Sequence, residues 1–364
     1  MAKIVRMRGT LGAATLLLVL TMIPIQPLSG PLGGGPGLSY TDAGDIPSGL
    51  KFADVTQLTI RKSAEGFELE VRLRAKPTPF TCAALYPPSI LVLIDYDSRS
   101  ETGARMPLTS YMFVPGVDYC VTLNPLIARF GRKGKGGPLV PLNVSMEWSL
   151  FKGAEEVARH RYRLGVWAYL QKVRLNVPLS VLKVPGSRLI CKVVTDVGVR
   201  EFAREARKLR LSQVGGKWTE LLIDDYDGLP LDITSVEVRR VGYRLWIRYR
   251  FYAPLPRGNE LGPRSCVWLW LPMLKLGNYT LVPVCRLSGA PLKPDAYVLG
   301  LGEIVHGGKG EVGLSEVTFS LDLSARPDLL RSYLTVDRRG WWLSVEDSIP
   351  NEGWLVPGSQ LMRH

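Results

Sequence analysis

The chain has 364 residues, 46% of them hydrophobic and 22% charged, so it carries enough apolar side chain for a sizeable core and falls outside the disordered class. Its 37 Gly and 27 Pro supply many turns without the three-residue period of collagen. Forty-six Lys and Arg against 33 Asp and Glu leave a net charge of +13, spread along the chain rather than gathered in one patch.

Residues 1–30 read as an export signal: a basic start at Lys3, Arg6 and Arg8, an apolar run over residues 11–25, then Pro27 and small residues. The apolar run of 15 residues is shorter than the roughly 20 that a spanning helix needs, which favours a cleaved signal peptide over an uncleaved N-terminal anchor. Residues 31–41, beginning PLGGGPGL, form a Gly/Pro-rich spacer. Beyond it no stretch is apolar for long enough to span a bilayer, so any membrane attachment would run through the N-terminal segment alone.

From residue 42 onward most segments alternate apolar and polar residues with period two between Gly, Pro or Asp, the pattern of half-buried strands. Residues 56–62 (TQLTIRK) and 67–74 (FELEVRLR) predict one hairpin, and residues 235–240 (SVEVRR) and 244–251 (RLWIRYRF) a second. Residues 199–211 (VREFAREARKLRL) have apolar positions three to four apart and predict a short helix between the halves. Trp268, Trp270 and Trp246 are expected to pack in the core. Trp341 and Trp342 must face opposite ways if they lie in a strand.

The two hairpins belong to an internal repeat. Asp54-Val55-Thr56 and the strands after it stand against Asp232-Ile233-Thr234 and theirs, and Cys82 and Cys266 each precede an apolar strand, SILVLID and VWLWL. A later strand of each half holds Cys120 or Cys285. The expected architecture is therefore all-β: two tandem immunoglobulin-like or jelly-roll-type β-sandwiches, over residues 42–205 and 218–358, joined by a linker at 206–217. Matched positions in an exported chain predict the disulfides Cys82–Cys120 and Cys266–Cys285 with Cys191 reduced and buried, the alternative being plain buried thiols.

Asp45, Asp54-Val55-Thr56, Ile94-Asp95-Tyr96-Asp97, Thr102-Gly103 and Gly116-Val117-Asp118-Tyr119 together resemble the DOMON-like superfamily of β-sandwiches, which includes the family 9 carbohydrate-binding modules. The resemblance covers most of residues 42–125. In the second half Asp232-Ile233-Thr234 is kept, the acidic strand end is replaced by Trp270-Leu271-Pro272, and residues 319–323, 347–350 and Gly353 resemble the closing strand and final loop. It implies sugar binding, and in some members haem binding, at a concave sheet or its loops.

Asp95, Asp97 and Asp118 are candidates for a calcium site, because hard cations take several carboxylate and carbonyl oxygens; a solvated, backbone-capping turn is the alternative. With Tyr119 they form the expected ligand site on the first half, since the second has Pro272 where the acids would sit. Asp224, Asp225 and Asp227 read as a capped turn. Haem is disfavoured by an inventory of three histidines, His160, His306 and His364. No nucleophile elbow, metalloprotease or phosphate-loop motif occurs in its required context, and adjacent acids such as Glu155-Glu156 read as surface charge, so no enzyme is expected.

The basic run at Arg129, Arg132, Lys133 and Lys135 reads as a charged hairpin tip. Sequons at Asn143 and Asn278 suit export and glycosylation. Only five Gln and six Asn occur, a bias that fits a hyperthermophile and, with export, an archaeal surface protein. Two roles follow: binding surface carbohydrate, with no nucleic-acid partner, or serving as a structural or adhesive subunit beside other envelope proteins.

Overall fold

A computed structural model describes residues 37–361 except 64–65, 76–88, 110–111, 125–129, 133–138, 142–143, 165–171, 200–204, 226–230, 259, 290–293, 302–307 and 338–339. Residues 1–36, with the expected leader, lie outside the described residues, as do Cys82, Asn143, Asp227, His306, His364 and most of the basic run. No helix among the described residues is long and apolar enough to cross a membrane.

The fold is all-β, with two four-residue α-helices among the described residues, at Leu179–Leu182 and Gly358–Leu361, and short 3-10 turns. The first half contains β1 (Leu38–Thr41), β2 (Val55–Lys62), β3 (Gly66–Leu73), β4 (Ser89–Asp95), β5 (Ala104–Thr109), β6 (Met112–Val117), β7 (Tyr119–Asn124), β8 (Phe130–Arg132), β9 (Leu139–Pro141), β10 (Val144–Lys152), β11 (Glu155–Leu164), β12 (Lys172–Pro178) and β13 (Arg188–Val199). The second contains β14 (Glu205–Ala206), β15 (Leu209–Arg210), β16 (Thr219–Ile223), β17 (Ile233–Val241), β18 (Arg244–Phe251), β19 (Cys266–Trp270), β20 (Leu274–Leu276), β21 (Tyr279–Ser288), β22 (Asp295–Leu301), β23 (Gly308–Val312), β24 (Glu316–Asp322), β25 (Tyr333–Val336) and β26 (Trp341–Ile349).

Pairing is antiparallel and follows one order twice. The first half has a sheet β1-β2-β3-β12 and a second run β11-β10-β7-β4-β13. The second half has β16-β17-β18-β24 and β23-β22-β21-β19-β26. There β23 also pairs with β24 and closes one side, whereas β11 and β12 share no pairing among the described residues.

The hairpins match in detail. Both β2 and β17 break register after their first residue, at Val55/Gln57 and Ile233/Ser235. At the break the threonine hydroxyl donates across the hairpin, Thr56 to the Arg72 carbonyl at 3.3 Å and Thr234 to the Arg250 carbonyl at 3.4 Å. The aspartate ahead of each accepts a backbone bond on its carbonyl, Asp54 from Arg74 (2.8 Å) and Asp232 from Tyr252 (2.9 Å). A repeated Asp-[Val/Ile]-Thr is thus the sequence mark of a bulge that starts the strand.

Alternation sends Leu58, Ile60, Leu69 and Val71 of one sheet against Val92, Ile94, Val121 and Leu123 of the other. A second core gathers Val236, Ile247, Tyr249, Phe319, Leu269 and Leu343. Tyr249, buried, keeps its hydroxyl satisfied by donating to the Pro272 carbonyl at 2.8 Å. The cores meet on β26, where Trp341, Leu343 and Val345 enter the second core, Ile349 enters the first, and buried Asp347 stands between.

β26 also pairs with β13 over nine residue pairs, from Val199 opposite Trp341 to Cys191 opposite Ile349, so one continuous sheet runs through both halves. Ile46, Leu50 and Ala53, ahead of β2, pack into the second core. Residues 34–364 accordingly form one compact unit.

Several expectations change. Residues 205–206 and 209–210 are short strands and not part of a helix: Ala206 faces Leu222 and Leu209 faces Leu334, so neighbouring strands take the backbone bonds that a helix would have made internally. Trp268 and Trp270 point outward, since Val267 and Leu269 occupy the core positions of β19; Trp270 lies opposite Trp342, and both are 37% exposed. Trp341 is buried, so the pair does face opposite ways. Trp246 lies on the outer face, where the Arg239 guanidinium sits 4.8 Å from its centroid and 4.8 Å from that of Trp218.

The disulfide Cys266–Cys285 is not formed. Cys266 lies opposite Ser288 and Cys285 opposite Leu269, three positions apart, and only Cys285 turns into the core. An offset of about 10 Å on opposite faces exceeds what a disulfide spans. Cys120 and Cys191 are likewise buried free thiols; burial pushes Cys120 up to about 11 and Cys191 higher still. Asn278 is exposed in the β20–β21 turn, accessible to modification.

Candidate functional site

Asp95 ends β4, Asp97 lies in the turn after it, and Asp118 sits between β6 and β7, next to Tyr119. The structure brings the three acids together, each offering a carboxylate oxygen within 4.8 Å of the others. Two glycines force this convergence. Gly103 (φ 66°) would place an added Cβ 2.4 Å from the Val117 carbonyl oxygen, and Gly116 (φ 82°) would place one 2.6 Å from that of Arg99. The loop carrying Asp97 is therefore pressed backbone to backbone against the strand leading to Asp118. Gly103→Ala is expected to cost about 2–4 kcal/mol and to separate the acids, readable as a lower urea midpoint with unchanged m-value.

Each carboxylate already has protein partners. Asp95 is buried, accepts from the Ser98 amide (2.6 Å) and takes a two-pronged contact from Arg188, at 2.7 Å from Nε and 2.6 Å from the terminal nitrogen. Asp97 accepts from the Arg99 amide (2.9 Å) and the Thr102 hydroxyl (3.0 Å). Asp118 accepts from the Tyr96 amide at 3.1 Å. Burial pushes the Asp118 carboxyl up to about 6; the Tyr96 amide opposes the shift, while the charges of Asp97 and Asp95 add to it. A calcium ion at these oxygens would relieve that repulsion and would compete with Arg188 for Asp95.

An aromatic row starts at this cluster. Tyr96 meets Tyr119 edge to face with centroids 6.3 Å apart, Tyr119 lies 6.1 Å from Trp148 of β10, and Trp148 stacks on His160 of β11 at 4.3 Å. The row crosses β7, β10 and β11 toward the side where β11 has no partner strand among the described residues. Tyr96 and His160 are exposed; Tyr119 and Trp148 are half-buried against the first core. Tyr119 was legible as a site residue from its place beside Asp118. Trp148 and His160 were not, because only strand pairing, Trp148 opposite both Val121 and His160, brings them into line.

A second acidic cluster lies at the border of the cores. Asp42, Asp45 and Asp347 converge within 4.8 Å, with Asp54 beside them. The Val55 amide donates to Asp347 Oδ2 (2.7 Å), the Ser265 hydroxyl lies 3.1 Å from Asp347 Oδ1 and 3.2 Å from both Asp45 oxygens, and Asn351 donates to Asp42 (2.8 Å). Arg74 pairs with Asp54 at 3.1 Å. Burial pushes Asp347 well above the carboxylate range, helped by the charge of Asp45; burial likewise raises Asp45 and brings Asp42 to about 6. Asp45 and Asp347 hydrogen-bond to each other, which takes one proton between two carboxylates. About 300 residues of sequence separate Asp42 and Asp45 from Asp347, and although Asp45, Asp54 and Asp347 each fall in a motif of the resemblance, none of these motifs announces that they converge.

Asp224 and Asp225 follow β16, where the Asp224 amide donates to the Thr234 carbonyl (2.9 Å) and the Asp225 amide to Asp224 Oδ1 (3.0 Å); the rest of the expected capped turn, with Asp227, lies outside the described residues. Glu156 pairs with Arg159 at the exposed end of β11. Comparison with known proteins finds no matching family model, no similar curated protein and no similar solved structure.

Proposed function

We propose that this is an exported, non-catalytic surface protein that binds carbohydrate through its first half, at Asp95, Asp97, Asp118 and Tyr119. The supporting observation is the aromatic row Tyr96–Tyr119–Trp148–His160, which starts at a carboxylate cluster and runs to the β11 edge, where no strand pairs among the described residues. Flat apolar ring faces offer stacking area to the C–H faces of a sugar, and carboxylates beside them accept from its hydroxyls. Asp95, Asp97 and Asp118 would hold a calcium ion, which would supply a hard cationic centre for sugar hydroxyl oxygens. The part of the DOMON-like motif at residues 94–97, 102–103 and 116–119 lies at these strand ends and agrees with the same use.

Titration calorimetry with maltohexaose and mannohexaose, with and without calcium, tests the reading. Binding is expected to weaken about tenfold or more in Trp148→Ala and Asp118→Asn, each measured at a temperature where circular dichroism shows the variant folded. Oligosaccharide binding that survives both substitutions would refute the site.

A structural or adhesive subunit is the second reading, favoured by Trp270 and Trp342, which face each other on the outside of the second half at 37% exposure each. Under it the protein self-associates in sedimentation velocity, and Trp342→Ser restores the monomer.

A further inference from the structure

The face of the β4–β13 sheet that bears Leu93 and Ile190, opposite the aromatic row, carries a cavity beside the acidic cluster that the proposed sugar site does not use. It holds about 290 Å³ beneath the β5–β6 hairpin. Leu108, Met112 and Val114 of the hairpin roof it, and Ile190 of β13 forms part of its floor. Trp354 closes one side.

Two arginines reach this apolar space, and no acid lines it. Arg188 is neutralised by Asp95, and its guanidinium carbon sits over Trp354, 4.6 Å from the ring centroid. Arg264 differs. It donates to the Pro350 carbonyl at 3.3 Å and makes no ion pair among the described residues. Burial pushes its pKa down, opposed only by the charge of Glu352. A guanidinium does not give up its proton, so the cost of keeping this one partly dehydrated lasts until an anion arrives.

We propose that the cavity binds a small amphiphile with one anionic head, a carboxylate or its equivalent, held by Arg264, and an apolar body of roughly eight carbons lying under Met112 and Val114. Cavities of this make-up, mostly apolar with a few convergent polar groups, are what small-ligand sites look like. The site draws residues from both halves: Arg264 and Trp354 come from the second, the hairpin and Ile190 from the first.

Titration calorimetry on the whole chain with octanoate and octanol, probes of the same length with and without charge, tests the proposal. Octanoate is expected to bind at least about tenfold more tightly than octanol, and to weaken as salt is raised. Arg264→Gln removes that advantage while leaving octanol unchanged, Arg264→Lys keeps part of it, and Met112→Trp, which fills the cavity, abolishes both. Equal binding of the two probes, no octanoate binding at millimolar concentration, or octanoate affinity unchanged in Arg264→Gln or in Met112→Trp would each overturn it. If Arg264→Gln does not fold, the probe ratio and Met112→Trp decide.

Discussion

Lys192→Met is expected to lower unfolding free energy by about 3–5 kcal/mol, the largest loss from any single side chain considered. Lys192 of β13 and Glu346 of β26 form a 3.2 Å ion pair in the strand pair that joins the halves, and both are nearly fully buried. Removing the cation leaves a carboxylate in a site where water cannot replace the partner. Adding Glu346→Leu is expected to recover most of the loss, because the pair owes its cost to desolvation as much as its benefit to attraction. Urea unfolding of the single and double variants measures both. A Lys192→Met protein within about 1 kcal/mol of the parent would show that the pair is effectively solvated.

Stability is expected to fall as pH rises from about 4 to 7, most steeply below about 6. Asp42 and Asp118 both have carboxyls raised to about 6 from 3.8, in each case chiefly by burial. Between those values the folded protein holds protons that the unfolded chain has released, so each group's contribution is present in acid and lost on passing its folded pKa. Asp45 and Asp347 are raised for the same reason and add to the loss at the upper end. Glu70 works the other way: although burial pushes it up, Lys172, Arg61 and Arg174 hold it below 4.5, and its contribution disappears only in stronger acid. Allowing for partial exposure, Asp42 and Asp118 account for roughly 2 kcal/mol each, so the thermal midpoint should be at least about 5 °C higher at pH 4.5 than at pH 7.5. Asp42→Asn keeps an acceptor for the Asn351 amide and should flatten the profile, gaining stability at pH 7.5 and not at pH 4.5. A midpoint that rises with pH would contradict the proton sharing assigned to this cluster.

The sequence was most legible where structure is local. Period-two alternation over residues 56–74 and 235–251 is a direct imprint of strands with one face buried, and both hairpins form where that pattern places them. The Asp95-Tyr96-Asp97 turn and the two glycines that press it against Asp118 could likewise be read within 25 residues of chain. What escaped depends on which strands become neighbours. The segment at 205–210 has helical spacing, and only the presence of β16 and β25 beside it makes extended backbone the better-bonded choice. Face assignment failed at Trp268 and Trp270, where large apolar residues occur on both faces of one strand and composition cannot say which set is inside. Asp347 looked like a loop-proximal acid, but its role comes from lying where two cores meet.

β13 and β26 hold the same place in their respective sheets, each beyond the strand that follows its half's apolar cysteine segment, and they pair antiparallel with each other. Antiparallel pairing of equivalent strands is the contact that a two-fold axis generates in an isologous dimer. The chain therefore contains, within one polypeptide, the kind of contact that two copies of one sheet would make across a two-fold axis, with local symmetry broken by Lys192 and Glu346 on the joined edge. Covalent fusion makes that association independent of concentration and removes two exposed sheet edges at once, so the seam protects the protein against polymerising through the strands best able to template it.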